Sequence, residues 1–160
     1  MARFAAFLRA INVGNRKATG EQLRSAAERR GFAEVASFRN SGNLVVSAVD
    51  LEISEVAERL EHGLREELGF EVPAFVRSAR QVRAIAAHEP LPAPLMGASK
   101  GKLQVILLGG KPSASAGRKA LALAGEDDRL ALRGSELYWL PSAGTQDSDL
   151  DQAALGEILG

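Results

Sequence analysis

Cysteine is absent from the 160 residues, which removes disulfides, thiol nucleophiles and thiolate metal sites together. Histidine occurs only as His62 and His88, too few for a zinc site at any recognised spacing. Each reads as a surface or capping residue, His62 within an amphipathic helix and His88 at a helix end. Aromatic residues make up 5% of the chain, so a sheet surface built to stack bases lacks its material, and nucleic acid is disfavoured as a partner. No apolar run approaches the roughly 18 residues of a membrane span, and no membrane association is expected. The start, Met1-Ala2-Arg3-Phe4, passes directly into a strand pattern rather than a basic and then apolar leader, so no secretory signal is expected and the location read from the sequence is cytoplasmic. Neither G-x-x-x-x-G-K-[ST], nor G-x-G-x-x-G after a strand, nor G-x-S-x-G is present.

Formal charge is zero overall but unevenly spread. Residues 1–50 and 77–118 are basic, whereas 51–76 and 119–160 are acidic. Solvated helix faces of mixed sign account for this plainly. A basic surface that attracts an anion is the sharper reading.

The chain has enough length for one sizeable core or two small ones. Phe4 to Ile11 is apolar enough for a central strand. Thr19-Gly20-Glu21-Gln22 has capping-box spacing and opens a helix that Gly31 stops. Val35 to Phe38, the turn signal Ser41-Gly42-Asn43, and Leu44 to Val46 form a hairpin. From Asp50 an amphipathic helix turns Ile53, Val56, Leu60, Leu64 and Leu68 inward, Gly69 ends it, and Val72 to Val76 is a further strand. The order β-α-β-β-α-β, with two helices on one face of an antiparallel sheet, is the ferredoxin-like arrangement.

A second pass follows. Ser78-Ala79-Arg80-Gln81 again has capping-box spacing and opens a short helix to His88. Glu89-Pro90-Leu91-Pro92-Ala93-Pro94 reads as an extended linker. Lys102 to Leu108 is the most apolar strand, Ser113 to Leu123 a helix, and Arg129–Arg133 with Leu137–Leu140 a hairpin around Gly134-Ser135. Asp127-Asp128 reads as a solvated loop, and Asp147 or Ser148 as the cap of a last helix. The fold class is therefore α+β with two ferredoxin-like subdomains, the second lacking its last strand. The boundaries are 1–77, a connector over 78–101, and 102–160. The shared element order reads as a diverged duplication.

In such a sheet the end of the first strand and the turn between the second and third lie on one edge. That brings Arg9, Asn12, Asn15, Arg16 and Lys17 beside Arg39, Asn40, Ser41 and Asn43. Gly14 and Gly42 turn backbone amides outward, and the first helix starts close by, so these nine residues form a candidate anion-binding rim. Asparagine and glycine also serve turns in their own right, and Asn12, Asn40 and Asn43 have a plainer role in stitching the two loops together.

The run Phe7-Leu-Arg-Ala-Ile-Asn-Val-Gly-Asn, then Leu23-Arg24, Gly31-Phe32, Val35 and Ser41-Gly42-Asn43-Leu44-Val45, resembles the bacterial domain of unknown function 1697 family (DUF1697). Its usual opening is close to L-L-R-G-I-N-V-G-G, followed by S-G-N-V. The resemblance implies a duplicated, ferredoxin-like α+β fold and no established activity, so it lends no catalytic residues. Ala10 and Asn15 stand where that family usually has glycine. The resemblance also implies an R-N-W-like segment after the last helix, which a chain ending at Gly160 is expected to lack.

The leading expectation is a non-enzymatic binding module for a small anion or an acidic partner at the rim, with no cofactor and no metal. One rival is a hydrolase- or transferase-type enzyme centred on Ser41. The other is a structural protein that homodimerises through an uncovered sheet face or edge.

Overall fold

The computed structural model describes residues 1–39 and 42–160. They form two compact units, Met1–Ala87 and His88–Gly160. Both are α+β, and each carries one antiparallel sheet.

The first unit runs β1 (Ala2–Leu8), α1 (Gly20–Arg29), β2 (Ala33–Phe38), β3 (Asn43–Ala48), α2 (Ile53–Leu68), β4 (Ala74–Ser78) and α3 (Ala79–Ala87). Its sheet order is β2-β3-β1-β4, the ferredoxin-like order. Alternation along β1 turns Phe4, Ala6 and Leu8 into the core. There they meet Leu44, Val46 and Val76 from the sheet, and Leu23, Ala26, Ala27, Val56, Leu60 and Leu64 from α1 and α2. Each fully buried leucine contributes roughly 2 kcal/mol of transfer free energy. Phe4 is thus core and not available for stacking.

Both expected capping boxes form. Thr19 Oγ1 accepts from the Gln22 amide at 3.2 Å, and Ser78 Oγ accepts from the Gln81 amide at 3.2 Å. Gly63 on α2 is buried against α1: a β-carbon there would lie 2.7 Å from Arg30 Cγ and 2.9 Å from the Ala26 carbonyl oxygen. Arg29 bonds Glu67 at 2.6 Å, and Arg30 bonds Glu66, so two ion pairs flank the contact. Hydrogen bonding from Arg30 holds the Glu66 carboxyl below its usual range. At the sheet edge, β2 carries a bulge between Ala33 and Ala36, where Glu34 adopts φ 49° and Ser47 Oγ donates to its carboxylate at 2.8 Å.

β1 is shorter than the apolar run suggested. It stops at Leu8: Ala10 and Asn12 both take φ 59°, the left-handed region, and turn the chain out of the ladder. Ile11 is buried all the same.

The second unit runs α4 (Ala93–Ala98), β5 (Gln104–Leu107), α5 (Ala114–Leu121), β6 (Arg129–Arg133), β7 (Glu136–Leu140) and α6 (Gln152–Leu159), with sheet order β5-β7-β6. Among the described residues it has no fourth strand. Its core joins Ala120, Leu137, Trp139, Leu150 and Leu155.

Four details correct the sequence reading. The proline segment is not extended throughout: α4 begins at Ala93, and Pro94 is accommodated because first-turn amides have no intrahelical acceptor. Asp128 is not solvated. It is 4% exposed, and its carboxylate accepts from Trp139 Nε1 at 3.3 Å and from Ser148 Oγ at 2.6 Å. The cap of α6 is Asp151, whose Oδ1 accepts from the Ala154 amide at 2.9 Å, since Ser148 is already committed to Asp128. His88, read as a surface or capping residue, is half-buried: its ring lies edge-on to Tyr138, with centroids 5.0 Å apart, and Arg133 lies 2.7 Å from its Nδ1.

Candidate functional site

The register of β1 decides what lies beside what at the rim. Phe7 faces Asn43 on β3 and Phe75 on β4. Just beyond, the Leu8 amide donates to the Gly42 carbonyl at 3.3 Å, and the Arg9 amide to the Pro73 carbonyl at 3.0 Å. The β1–α1 loop then folds into a miniature hairpin. Asn12 donates its amide to the Arg16 carbonyl at 2.7 Å, and Arg16 returns a bond to the Val13 carbonyl at 3.1 Å around Gly14 at φ 57°. Asn12 Oδ1 accepts from the Ala18 amide at 3.1 Å, fixing the loop to the residue before the Thr19 cap. Gly42 packs directly on this loop, because a β-carbon there would lie 3.4 Å from both Ile11 Cβ and Leu8 Cβ. The two polar loops are neighbours.

Between them opens a cleft of about 440 Å³, lined by Asn12, Lys17, Ala18, Thr19, Gly20, Leu23, Arg39 and Gly42 among the described residues. Of the nine rim residues expected from sequence, Asn12, Lys17 and Arg39 line it. Arg9 and Asn15 are exposed and stand outside it. Arg16 turns away: its Nη1 lies 3.4 Å from the Glu71 carbonyl oxygen, and its guanidinium sits 5.6 Å from the Phe70 ring centre. Asn43 is held in β3, and Asn40 and Ser41 lie outside the described residues.

The first turn of α1 supplies the wall that the sequence reading did not assign residue by residue. The cap occupies the Gln22 amide, and the Leu23 amide makes the first intrahelical bond at 3.1 Å to the Thr19 carbonyl. The amides of Gly20 and Glu21 then stand at the positive end of the helix. Gly20 is close to β2, since a β-carbon would sit 3.0 Å from Ser37 Oγ. The available signal was the capping box itself, two residues after Lys17.

Among the described residues no carboxylate lines this cleft. Among the described residues, neither Lys17 nor Arg39 forms an ion pair, and Arg39 rests 5.6 Å from the ring centre of Phe38, which is 61% exposed. A second cavity of about 270 Å³ is lined by Glu58, Glu61, His62, Arg65, Glu71, Val72 and Pro73. Several of its polar groups already have partners. Glu61 accepts from the Ala74 amide at 2.8 Å, His62 lies 3.2 Å from Glu66, and Arg65 lies 3.7 Å from Glu71. Among the described residues no group of three potential ligands could hold a metal ion, and no helix is long and apolar enough to cross a membrane.

The model of a protein family described as "Protein of unknown function (DUF1697)" matches residues 1–138. The chain belongs to the DUF1697 family. Among solved structures, the conserved bacterial protein SP0830 from Streptococcus pneumoniae matches with a TM-score of 0.73 at 24% identity, over 89% of this chain and 78% of that one. That likeness carries the fold, two subdomains included. No curated protein matches.

One residue of the β1–α1 loop of this DUF1697 protein has a measurable cost. Ala10 holds a left-handed conformation that a β-carbon disfavours by about 1–2 kcal/mol and that glycine adopts freely. Ala10→Gly is expected to stabilise the protein by about 0.5–1 kcal/mol once glycine's extra chain entropy is deducted. A urea midpoint that rises at unchanged slope is the expected result, and an unchanged or lower midpoint contradicts it.

Proposed function

We propose that this protein is a non-enzymatic binding module whose rim, between the β1–α1 loop and the β2–β3 turn, holds a small anionic ligand or the acidic group of a partner. The observation that carries this reading is a cleft that combines Lys17, Arg39 and the start of α1 with, among the described residues, no carboxylate in its lining. Its size suits a small molecule. A helix start adds donors and partial positive charge, and two side-chain cations bring the charge that such a ligand needs. Backbone strain collects in the same place. Among the described residues, Ala10, Asn12 and Arg39 are three of the five non-glycine residues with positive φ, and strain of this kind is maintained where surrounding structure over-determines it. A cytoplasmic location goes with this reading, as does the origin of the two units by duplication, which their common strand order supports.

Thermal denaturation against inorganic phosphate, short carboxylates and nucleotides tests the proposal. A ligand at ten times its dissociation constant stabilises by about 1.4 kcal/mol, a shift of a few degrees for a chain of this size. Lys17→Ala and Arg39→Ala are each expected to weaken binding about tenfold, and rising salt to weaken it in parallel. Absence of any shift at millimolar ligand, or an equal shift in the Lys17→Ala/Arg39→Ala double variant, rejects it.

A further inference from the structure

In the second unit α5 lies against β6 with a groove between them. Gly117 marks the contact: a β-carbon there would lie 3.3 Å from Leu132 Cδ1, so its lack of a side chain leaves the floor open. The groove has a volume of about 330 Å³, with Lys111, Pro112, Arg118, Leu121 and Leu132 in its lining. Ala114, Gly117, Arg118 and Leu121 recur at helical spacing and so share one face of α5. From Ala114 to Leu121 the helix rises about 10 Å, which sets the length of that wall. Lys111 stands at the head, beside the hairpin turn at Gly134, and Leu121 at the far end.

The lining is charged with one sign and otherwise largely apolar. Among the described residues no carboxylate lines the groove, and neither Lys111 nor Arg118 forms an ion pair. Glu136, next to the turn, belongs with Arg133 to the opposite face of the hairpin, because the neighbouring pair Leu132–Leu137 takes the core face. Ser113 Oγ is already engaged as the cap of α5, accepting from the Ala116 amide at 3.1 Å. The positive charge at the head therefore comes from side chains. Leu121 is 38% exposed, whereas Ala120 beside it is fully buried and Leu123 packs on the core, so the helix docks without it. Where the cleft of the first unit has Asn12 and Thr19, this groove has Pro112, Leu121 and Leu132.

We infer that the α5–β6 groove binds a small amphiphilic anion, a free carboxylate with an unbranched aliphatic tail of medium length. The carboxylate lies between Lys111 and Arg118, whose Cα–Cβ bond tilts toward the start of the helix, and the tail runs along Leu132 to Leu121. Charge complementarity selects the head: two cations without a carboxylate beside them attract an anion and repel an amine. The apolar wall selects the tail, since each methylene taken from water there adds affinity. The length of the wall sets the size, because a longer chain would pass Leu121 into solvent and gain nothing further. The site lies within the second unit and does not depend on the cleft of the first.

Titration calorimetry of the full chain with sodium octanoate and with sodium acetate, each to about 10 mM, tests this. Octanoate is expected to bind at least about 30-fold more tightly than acetate, for a tail only partly removed from water. Lys111→Ala/Arg118→Ala is expected to weaken octanoate at least about tenfold. Leu121→Gln, which keeps both cations and a good helix former, is expected to weaken it about fivefold. All three positions are exposed, so the far-UV circular dichroism spectrum stays that of the parent. Lys17→Ala/Arg39→Ala leaves octanoate binding unchanged, which separates this site from the first cleft. No octanoate binding at 10 mM overturns the inference, and so does an affinity that neither set of second-unit variants lowers. Octanoate binding lost in Lys17→Ala/Arg39→Ala overturns it as well, and supports the first cleft instead.

Discussion

Asp128→Ala is expected to destabilise the second unit by about 3–4 kcal/mol, the sum of two hydrogen bonds to a buried charged group, each worth roughly 1.5–3 kcal/mol before relaxation. The carboxylate accepts from Trp139 Nε1 and from Ser148 Oγ, and Ser148 Oγ accepts in turn from the Leu150 amide at 3.1 Å. Removing it leaves the indole N–H of a residue only 3% exposed without its acceptor, and frees the segment that delivers Leu150 to the core. For a unit of this length, with net stability of order 0.05–0.15 kcal/mol per residue, that loss is a large share of the whole. Asp128→Asn keeps one carbonyl acceptor and loses the charge, so about half the effect is expected. The chain has one tryptophan and one tyrosine, Trp139 and Tyr138, and both belong to this unit. Indole fluorescence during urea unfolding therefore reports the second unit directly. A midpoint equal to that of the parent protein in both variants would show that the buried carboxylate does not hold the segment.

Gly63→Leu is the counterpart in the first unit. Even a single β-carbon at this position meets the Ala26 carbonyl oxygen at 2.9 Å, and backbone cannot withdraw as a flexible side chain can. A leucine must separate α1 from α2, which strains the Arg29–Glu67 and Arg30–Glu66 pairs that flank the contact. The expected loss is about 3 kcal/mol, the upper part of the usual range for overpacking. Far-UV circular dichroism is the suitable probe, because this unit has no tryptophan. Gly156→Ala on α6, where a β-carbon meets nothing within 4 Å, serves as the matched control. It is expected to stabilise by about 0.5–1 kcal/mol, because alanine costs less chain entropy in a helix. Equal signs for the two substitutions would mean that the helix contact is not what constrains Gly63.

Elements with a strong local signal were readable from sequence. The Thr19–Gln22 and Ser78–Gln81 boxes name their own helix starts, and the apolar faces of α1 and α2 follow from 3.6-residue spacing. The neighbourhood of the two rim loops followed from topology alone, because the ferredoxin-like order leaves one place for each. Features set by distant partners did not show. Two adjacent aspartates at 127 and 128 look solvated until Trp139 and Ser148 are seen to converge on the second of them. A hint was present, since a lone tryptophan on an apolar strand needs an acceptor for its N–H. The apolar pattern carries β1 three residues past its true end, because Ile11 is apolar and buried while its backbone is already a loop. At the rim, residue type identified the cations but not their directions. Arg16 and Arg39 look alike in sequence, yet one crosses toward Phe70 and Glu71 and the other borders the cleft.

The central place of β1 bears on how the chain folds as it is made. β1 needs β4, which begins only at Ala74, to fill its second side. Until Ser78 has emerged, Ala5 and Phe7 present unmatched amides and carbonyls along an apolar strand. Before β4 is in place, residues 2–8 are an extended apolar segment with one side unfilled, and segments of that kind are prone to non-native pairing.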